Sequence, residues 1–169
     1  PDMKKVPGVD MSTGSLGQGI SAAAGMARFA KQTGKSFRVY SILGDGEVQE
    51  GQVWEAVMSA GHFKLDNLTA FLDNNDLQID GHVSTEMSVY PIREKFEAFG
   101  WNVVEADGHD VDDLTEAVAK AKACEGKPTL IWCKTVKGKG VSFMENQVGW
   151  HGGAINDEQY ELAMKELKG

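Results

Sequence analysis

The sequence is poor in the residues that announce several common protein classes. Two cysteines and four prolines occur in 169 residues, and aromatic side chains make up only 8%. No apolar run approaches the roughly 20 residues that cross a bilayer. The start lacks the charged-then-apolar pattern of a secretory leader. No membrane partner is therefore expected. Cys124 and Cys133 form no C-x-x-C pair and are too few for a disulfide framework, so buried free thiols in a reducing cytoplasm are expected. Positive charge is short as well: 17 Lys and Arg against 25 Asp and Glu leave a formal net charge of −8. Nucleic-acid binding needs a basic face, so that class is excluded. An acidic chain that binds an anion must import positive charge, and a divalent cation does so.

Length bounds the rest. The chain can bury one sizeable core but is short for a second domain. Apolar, strand-compatible runs alternate with helical periodicity. Small and apolar residues recur from Leu16 to Lys31 and predict a helix stopped by Gly34. Arg38–Leu43 and Leu68–Asp73 read as strands, with a helix over 48–63 between them. Residues 76–91 read as an extended polar loop. A helix through Ile92, Phe96 and Phe99 stops at Gly100. Strands are expected at 101–106 and 129–133, with a helix capped by Asp110 or Asp112 between them. A glycine-bearing loop over 137–153 and a helix over 157–168 complete the chain. The expected fold class is α/β: a doubly wound, mostly parallel sheet with helices on both faces.

The most informative residues lie where two of these strands end. Gly44-Asp45-Gly46 follows the first and Asp73-Asn74-Asn75-Asp76 the second. A strand–helix–strand unit places both strand C-termini at one sheet edge, so Asp45 and Asn75 are expected to converge. A carboxylate and an amide oxygen suit a hard cation such as Mg²⁺, with Ca²⁺ or Mn²⁺ as substitutes. Glycines beside the acid let a bulky anion approach the backbone, and the following helix offers N-terminal amides to phosphate. The expectation is a metal-bridged diphosphate pocket at the strand C-termini, where such sheets bind ligands.

The Gly44-Asp45-Gly46 to Asn74-Asn75 spacing resembles the thiamine diphosphate motif. The text between and around it resembles transketolase: Glu47 through Ala56, Ala60 through Leu68, and Leu77 through Gly81. Upstream Ser12 to Ile20 and downstream Lys134 to Gly140 and Gly149 to Gly153 match in order. The resemblance implies that Asp45, Asn75 and the main-chain carbonyl of Leu77 hold the metal. It implies that Gly46 presents its amide to the diphosphate, and that Gly14 and Leu16 line the cofactor. For Leu16 the plain alternative is core packing, and for Asn75 an ordinary turn.

Glu50 and Glu55 are expected in the first turns of one helix, near its positive end. A solvated or capping role is the default for such residues. The resemblance instead implies an acidic network at a subunit interface, where a buried carboxylate passes a proton. His151, between Trp150 and Gly152-Gly153, matches a histidine near the diphosphate and the reacting sugar, and Trp150 is expected to anchor its loop. Where the family often has proline nearby, this chain has Ala154-Ile155. His62 and His109 read as structural, and Lys137 and Lys139 as solvated.

The resemblance implies a single diphosphate-binding domain over residues 1–169. The family's upstream amino-terminal region and its pyrimidine-binding domain are not in this sequence, so the chain alone is expected to be inactive. Its partners would be sugar-phosphate substrates and a pyrimidine-binding transketolase domain or subunit, in a dimer or heterotetramer. Dihydroxyacetone synthase and deoxyxylulose-phosphate synthase are the rival enzymes, and a non-catalytic cofactor-binding assembly module is the rival of another class.

Overall fold

A computed structural model of the chain describes residues 2–168. Pro1 and Gly169, the two ends of the expected domain, lie outside the described residues. Four strands form the sheet: β1 (Val39–Gly44), β2 (Leu68–Asn74), β3 (Asn102–Asp107) and β4 (Thr129–Lys134). Their order is β1-β2-β4-β3, and every neighbouring pair is parallel. Among the described residues six α-helices accompany them: α1 (Gln18–Gln32), α2 (Gly51–His62), α3 (Val83–Glu86), α4 (Ile92–Ala98), α5 (Val111–Ala123) and α6 (Asp157–Lys168). The expected α/β architecture is observed.

Alternation along the strands sorts the side chains into two layers. Leu68, Ala70 and Leu72 of β2, with Leu130 and Val103, pack into one core with residues of α1, α2 and α4. Ile131, Cys133 and Ala106 face the other way, against Ala117 and Ala121 of α5. Small residues on α1 (Ala23, Ala24, Ala27, Ala30) are all buried, which fits the close packing that an alanine-rich helix permits. Phe96 and Trp101 meet edge to face at 5.5 Å, and the Trp101 indole N–H donates to the Val57 carbonyl at 2.8 Å. Such an aromatic pair adds about 0.5–1.5 kcal/mol beyond its burial. The α5 layer covers only the β3–β4 half of its face. At β1 the same face leaves Tyr40 45% and Ile42 76% exposed.

Several boundaries differ from the sequence expectation, each for a local reason. Gly17, at φ +79, is the N-cap of α1, so the helix starts at Gln18 and not at Leu16. The expected helix over 48–63 is two pieces. A 3₁₀ turn over Gly46–Gln49 ends at Glu50, whose extended backbone (φ −68, ψ 130) restarts the chain as α2. The segment after Asp76 is not simply extended. The Asp76 carboxylate accepts from the Ser84 amide and hydroxyl, both at 2.8 Å, and lies 3.2 Å from His82 Nδ1, which winds the chain into α3. Of the two candidate caps for α5, Asp110 does the capping, accepting from the Asp112 and Asp113 amides. Cys133 is buried, whereas Cys124 is only half-buried.

Candidate functional site

Register brings the strand ends together. Gly44 pairs with Asp73 and Asp73 with Cys133, so β1, β2 and β4 stop nearly level. The Asp45 amide then donates to the Asp73 carbonyl at 3.2 Å, fastening the first turn to the second strand. Asp45 is 2% exposed. Its Oδ1 accepts from the Gly46 amide at 2.8 Å, and its Oδ2 accepts from Asn74 Nδ2 at 2.8 Å and the Asp76 amide at 2.5 Å. Burial raises its pKa above the ordinary carboxylate value, although these three hydrogen bonds pull the other way. Among the described residues no ion pair involves Asp45. A buried carboxylate with no cationic side chain is an electrostatic gap that a metal ion suits.

The turn after β2 meets Asp45 on both sides of Asn75, through Asn74 before it and Asp76 after it. Asn75 itself runs along the turn: its Nδ2 donates to Asp73 Oδ1 at 3.2 Å and its Oδ1 accepts from the Leu77 amide at 3.0 Å. The side chain that hydrogen-bonds Asp45 from this turn is that of Asn74, to which the sequence pattern assigns no role of its own. The Leu77 carbonyl accepts no hydrogen bond among the described residues. The Gly46 N–H, expected to face a diphosphate, donates to Asp45 Oδ1 at 2.8 Å. Glycine at 46 has a second reason, since a Cβ there would stand 3.2 Å from Gln78 Cβ.

Residues 1–168 match the family described as transketolase, thiamine diphosphate binding domain. The chain belongs to that family. It is 46% identical over 167 residues to a 6-deoxy-6-sulfo-D-fructose transketolase subunit, SqwG, of Clostridium sp. (strain MSTE9), covering 99% of this chain and 61% of that one. It is 42% identical to one of the apulose-4-phosphate transketolase subunits of Phocaeicola vulgatus, covering 96% of this chain and 58% of the relative. Among solved structures, transketolase from Campylobacter jejuni superposes with a TM-score of 0.89 at 34% identity, over 95% of this chain and 26% of that one. The chain thus spans about three-fifths of the length of the transketolase subunits it matches.

Within this transketolase domain the other expected site residues are distributed as follows. Gly14 has open space around it, and Leu16 is 57% exposed, so Leu16 is not a core residue. Glu50 is the extended N-cap residue of α2 and Glu55 lies in its second turn, so both sit at the N-terminal end of one helix as expected, although Glu50 itself is not helical. Both are exposed, and Glu50 makes no capping hydrogen bond. His151 ends a 3₁₀ turn over Val148–His151 and is exposed. Its neighbour Trp150 does anchor the loop: the indole N–H donates to the Phe143 carbonyl at 2.8 Å. His109 Nε2 accepts from the Val136 amide at 2.8 Å, a structural contact. Glu47, which carried no expectation of its own, holds the Gly17 and Gly44 amides.

Proposed function

We propose that this chain is the diphosphate- and metal-binding part of a transketolase, which moves a two-carbon ketol unit from a ketose phosphate to an aldose phosphate. The supporting observation is Asp45, a buried acid without an ion-pair partner among the described residues, set where two strand ends meet. The donor set fits a hard divalent cation such as Mg²⁺: the Asp45 carboxylate, the Asn75 amide oxygen and the Leu77 carbonyl are all oxygen ligands. A bound cation would reverse the effect of burial on Asp45.

Thiamine diphosphate, when bound, supplies the carbon nucleophile and electron sink for cleaving the ketose. The residues of this chain bind and orient. Gly14 leaves room for the diphosphate, and exposed Leu16 offers an apolar surface to a ring. His151, on a loop pinned by Trp150, donates or accepts a hydrogen bond beside the diphosphate and the sugar. Glu50 and Glu55 become buried against a second protomer and share a proton there. The pyrimidine half of the site comes from a partner domain or polypeptide, a reading supported by relatives that are themselves named as transketolase subunits.

The test combines the chain with a pyrimidine-domain partner, thiamine diphosphate and Mg²⁺. Calorimetry should show Mg²⁺-dependent cofactor binding that Asp45→Ala removes, and ketol transfer should appear only in the mixture. Equal cofactor affinity in the variant would falsify the metal assignment. Absence of cofactor uptake with any partner would favour the non-catalytic module. Xylulose 5-phosphate offered with ribose 5-phosphate or with formaldehyde separates a transketolase from dihydroxyacetone synthase.

A further inference from the structure

The geometry points to Asn74 as a positioning residue that fixes the Asp45 carboxylate, and to Trp132 as the group that fixes Asn74. This inference rests on the reading of Asp45 as a metal ligand. The two ends of an asparagine amide have nearly the same shape, so neighbours of known donor character must decide which end faces where. Trp132 decides it here. An indole N–H can only donate, and Trp132 Nε1 lies 2.7 Å from Asn74 Oδ1. The amide oxygen is pinned to that side, and Nδ2 is left facing Asp45 Oδ2 at 2.8 Å. Reversing the amide would set two donors against each other at Trp132 and two acceptors against each other at Asp45.

Tyr90 completes the set. Its hydroxyl lies 2.9 Å from Asn74 Nδ2 and 3.2 Å from Asn74 Oδ1, so every polar atom of the amide has a partner. Fully satisfied polar networks are the ones that rigidify a site. The network also crosses the sheet: Trp132 is on β4, Asn74 ends β2, and Asp45 follows β1. Register explains the reach. Asn74 pairs with Lys134, so Trp132 sits two residues back on the same face as Asn74. Asp45 Oδ2 thereby carries two hydrogen bonds and Oδ1 one.

The experiment titrates Mg²⁺ calorimetrically into the chain bound to its pyrimidine-domain partner, with thiamine diphosphate present. It compares wild type, Asn74→Leu, Trp132→Phe, the double variant and Asp45→Ala, each checked for folding by circular dichroism. Asn74→Leu removes a charge-assisted hydrogen bond and should weaken Mg²⁺ binding about tenfold. Trp132→Phe removes one neutral donor and should weaken it about threefold. Because Trp132 acts through Asn74, the double variant should bind no more weakly than Asn74→Leu alone, a non-additivity that general loss of structure does not produce. Additive losses overturn the relay, as does wild-type affinity in a folded Asn74→Leu variant. If Asn74→Leu does not fold, Trp132→Phe decides alone, and unchanged affinity overturns the proposal. Asp45→Ala separates the two readings. Unchanged Mg²⁺ affinity there defeats the metal site and this inference together, whereas loss of binding there with none in the Asn74 and Trp132 variants defeats this inference only.

Discussion

Glu47 Oε1 accepts the Gly17 N–H at 2.9 Å across thirty residues of sequence. The other oxygen of the same carboxylate accepts the Gly44 N–H at 3.1 Å. One side chain therefore ties the glycine loop before α1 to the turn that carries Asp45. The approach needs glycine: at Gly17 a Cβ would lie 3.1 Å from Glu50 Cβ, and its φ of +79 is one that side-chain-bearing residues seldom adopt.

Glu47→Gln should loosen that tie. It replaces one acceptor oxygen by a donor, so one of the two amides loses its partner, at a cost of about 1–3 kcal/mol. Chemical denaturation should show a lower midpoint with an unchanged slope. Wild-type stability in this variant would mean that water replaces the carboxylate without loss.

A second prediction concerns the contact of α2 with the end of α4. A Cβ at Gly61 would overlap the Phe99 carbonyl oxygen and stand 3.1 Å from its carbon. Backbone cannot swing aside as a flexible side chain does. Gly61→Ala should therefore cost about 1–3 kcal/mol or more, although alanine is the better helix former in isolation. Thermal unfolding reads it directly, and a raised melting temperature would refute the clash.

Asp66 provides a pH-dependent test. Its Oδ1 accepts from Lys31 Nζ and its Oδ2 from the Gly126 amide, each at 2.8 Å, joining α1, the entry to β2 and the exit of α5. Burial pushes the Asp66 carboxyl up, but the Lys31 and Gly126 hydrogen bonds and the nearby positive charges outweigh it, and the pKa is lowered from 3.8. A lowered native value means that Asp66 stabilises the fold above 3.8 and loses that contribution as pH falls through the native pKa. With the pair partly exposed, Asp66→Asn should cost about 1 kcal/mol at pH 7. The gap to wild type should close as the solution is acidified below 3.8; a gap independent of pH would contradict the assignment.

The strand–helix–strand unit was legible because each strand is an apolar run that ends in glycine or acid, a pattern carried by neighbours in sequence. Strand limits shifted by a residue because register decides them: β1 reaches Gly44 since Gly44 pairs with Asp73. The break at Glu50 was hidden because Val48, Val53, Ala56 and Val57, all buried, sustain apolar periodicity across it. The part of the site that sequence did not disclose depends on distant partners. Asn74 acquires its orientation from Trp132, 58 positions away, and Glu47 its role from Gly17, 30 positions away. No local pattern encodes either.

The uncovered flank beside β1 has a practical corollary for handling the molecule. An edge strand bonded, among the described residues, to a neighbour on one side only, with Tyr40 and Ile42 open to water, is a template for stray pairing between copies. Concentrated solutions of the lone polypeptide should begin to clump there first.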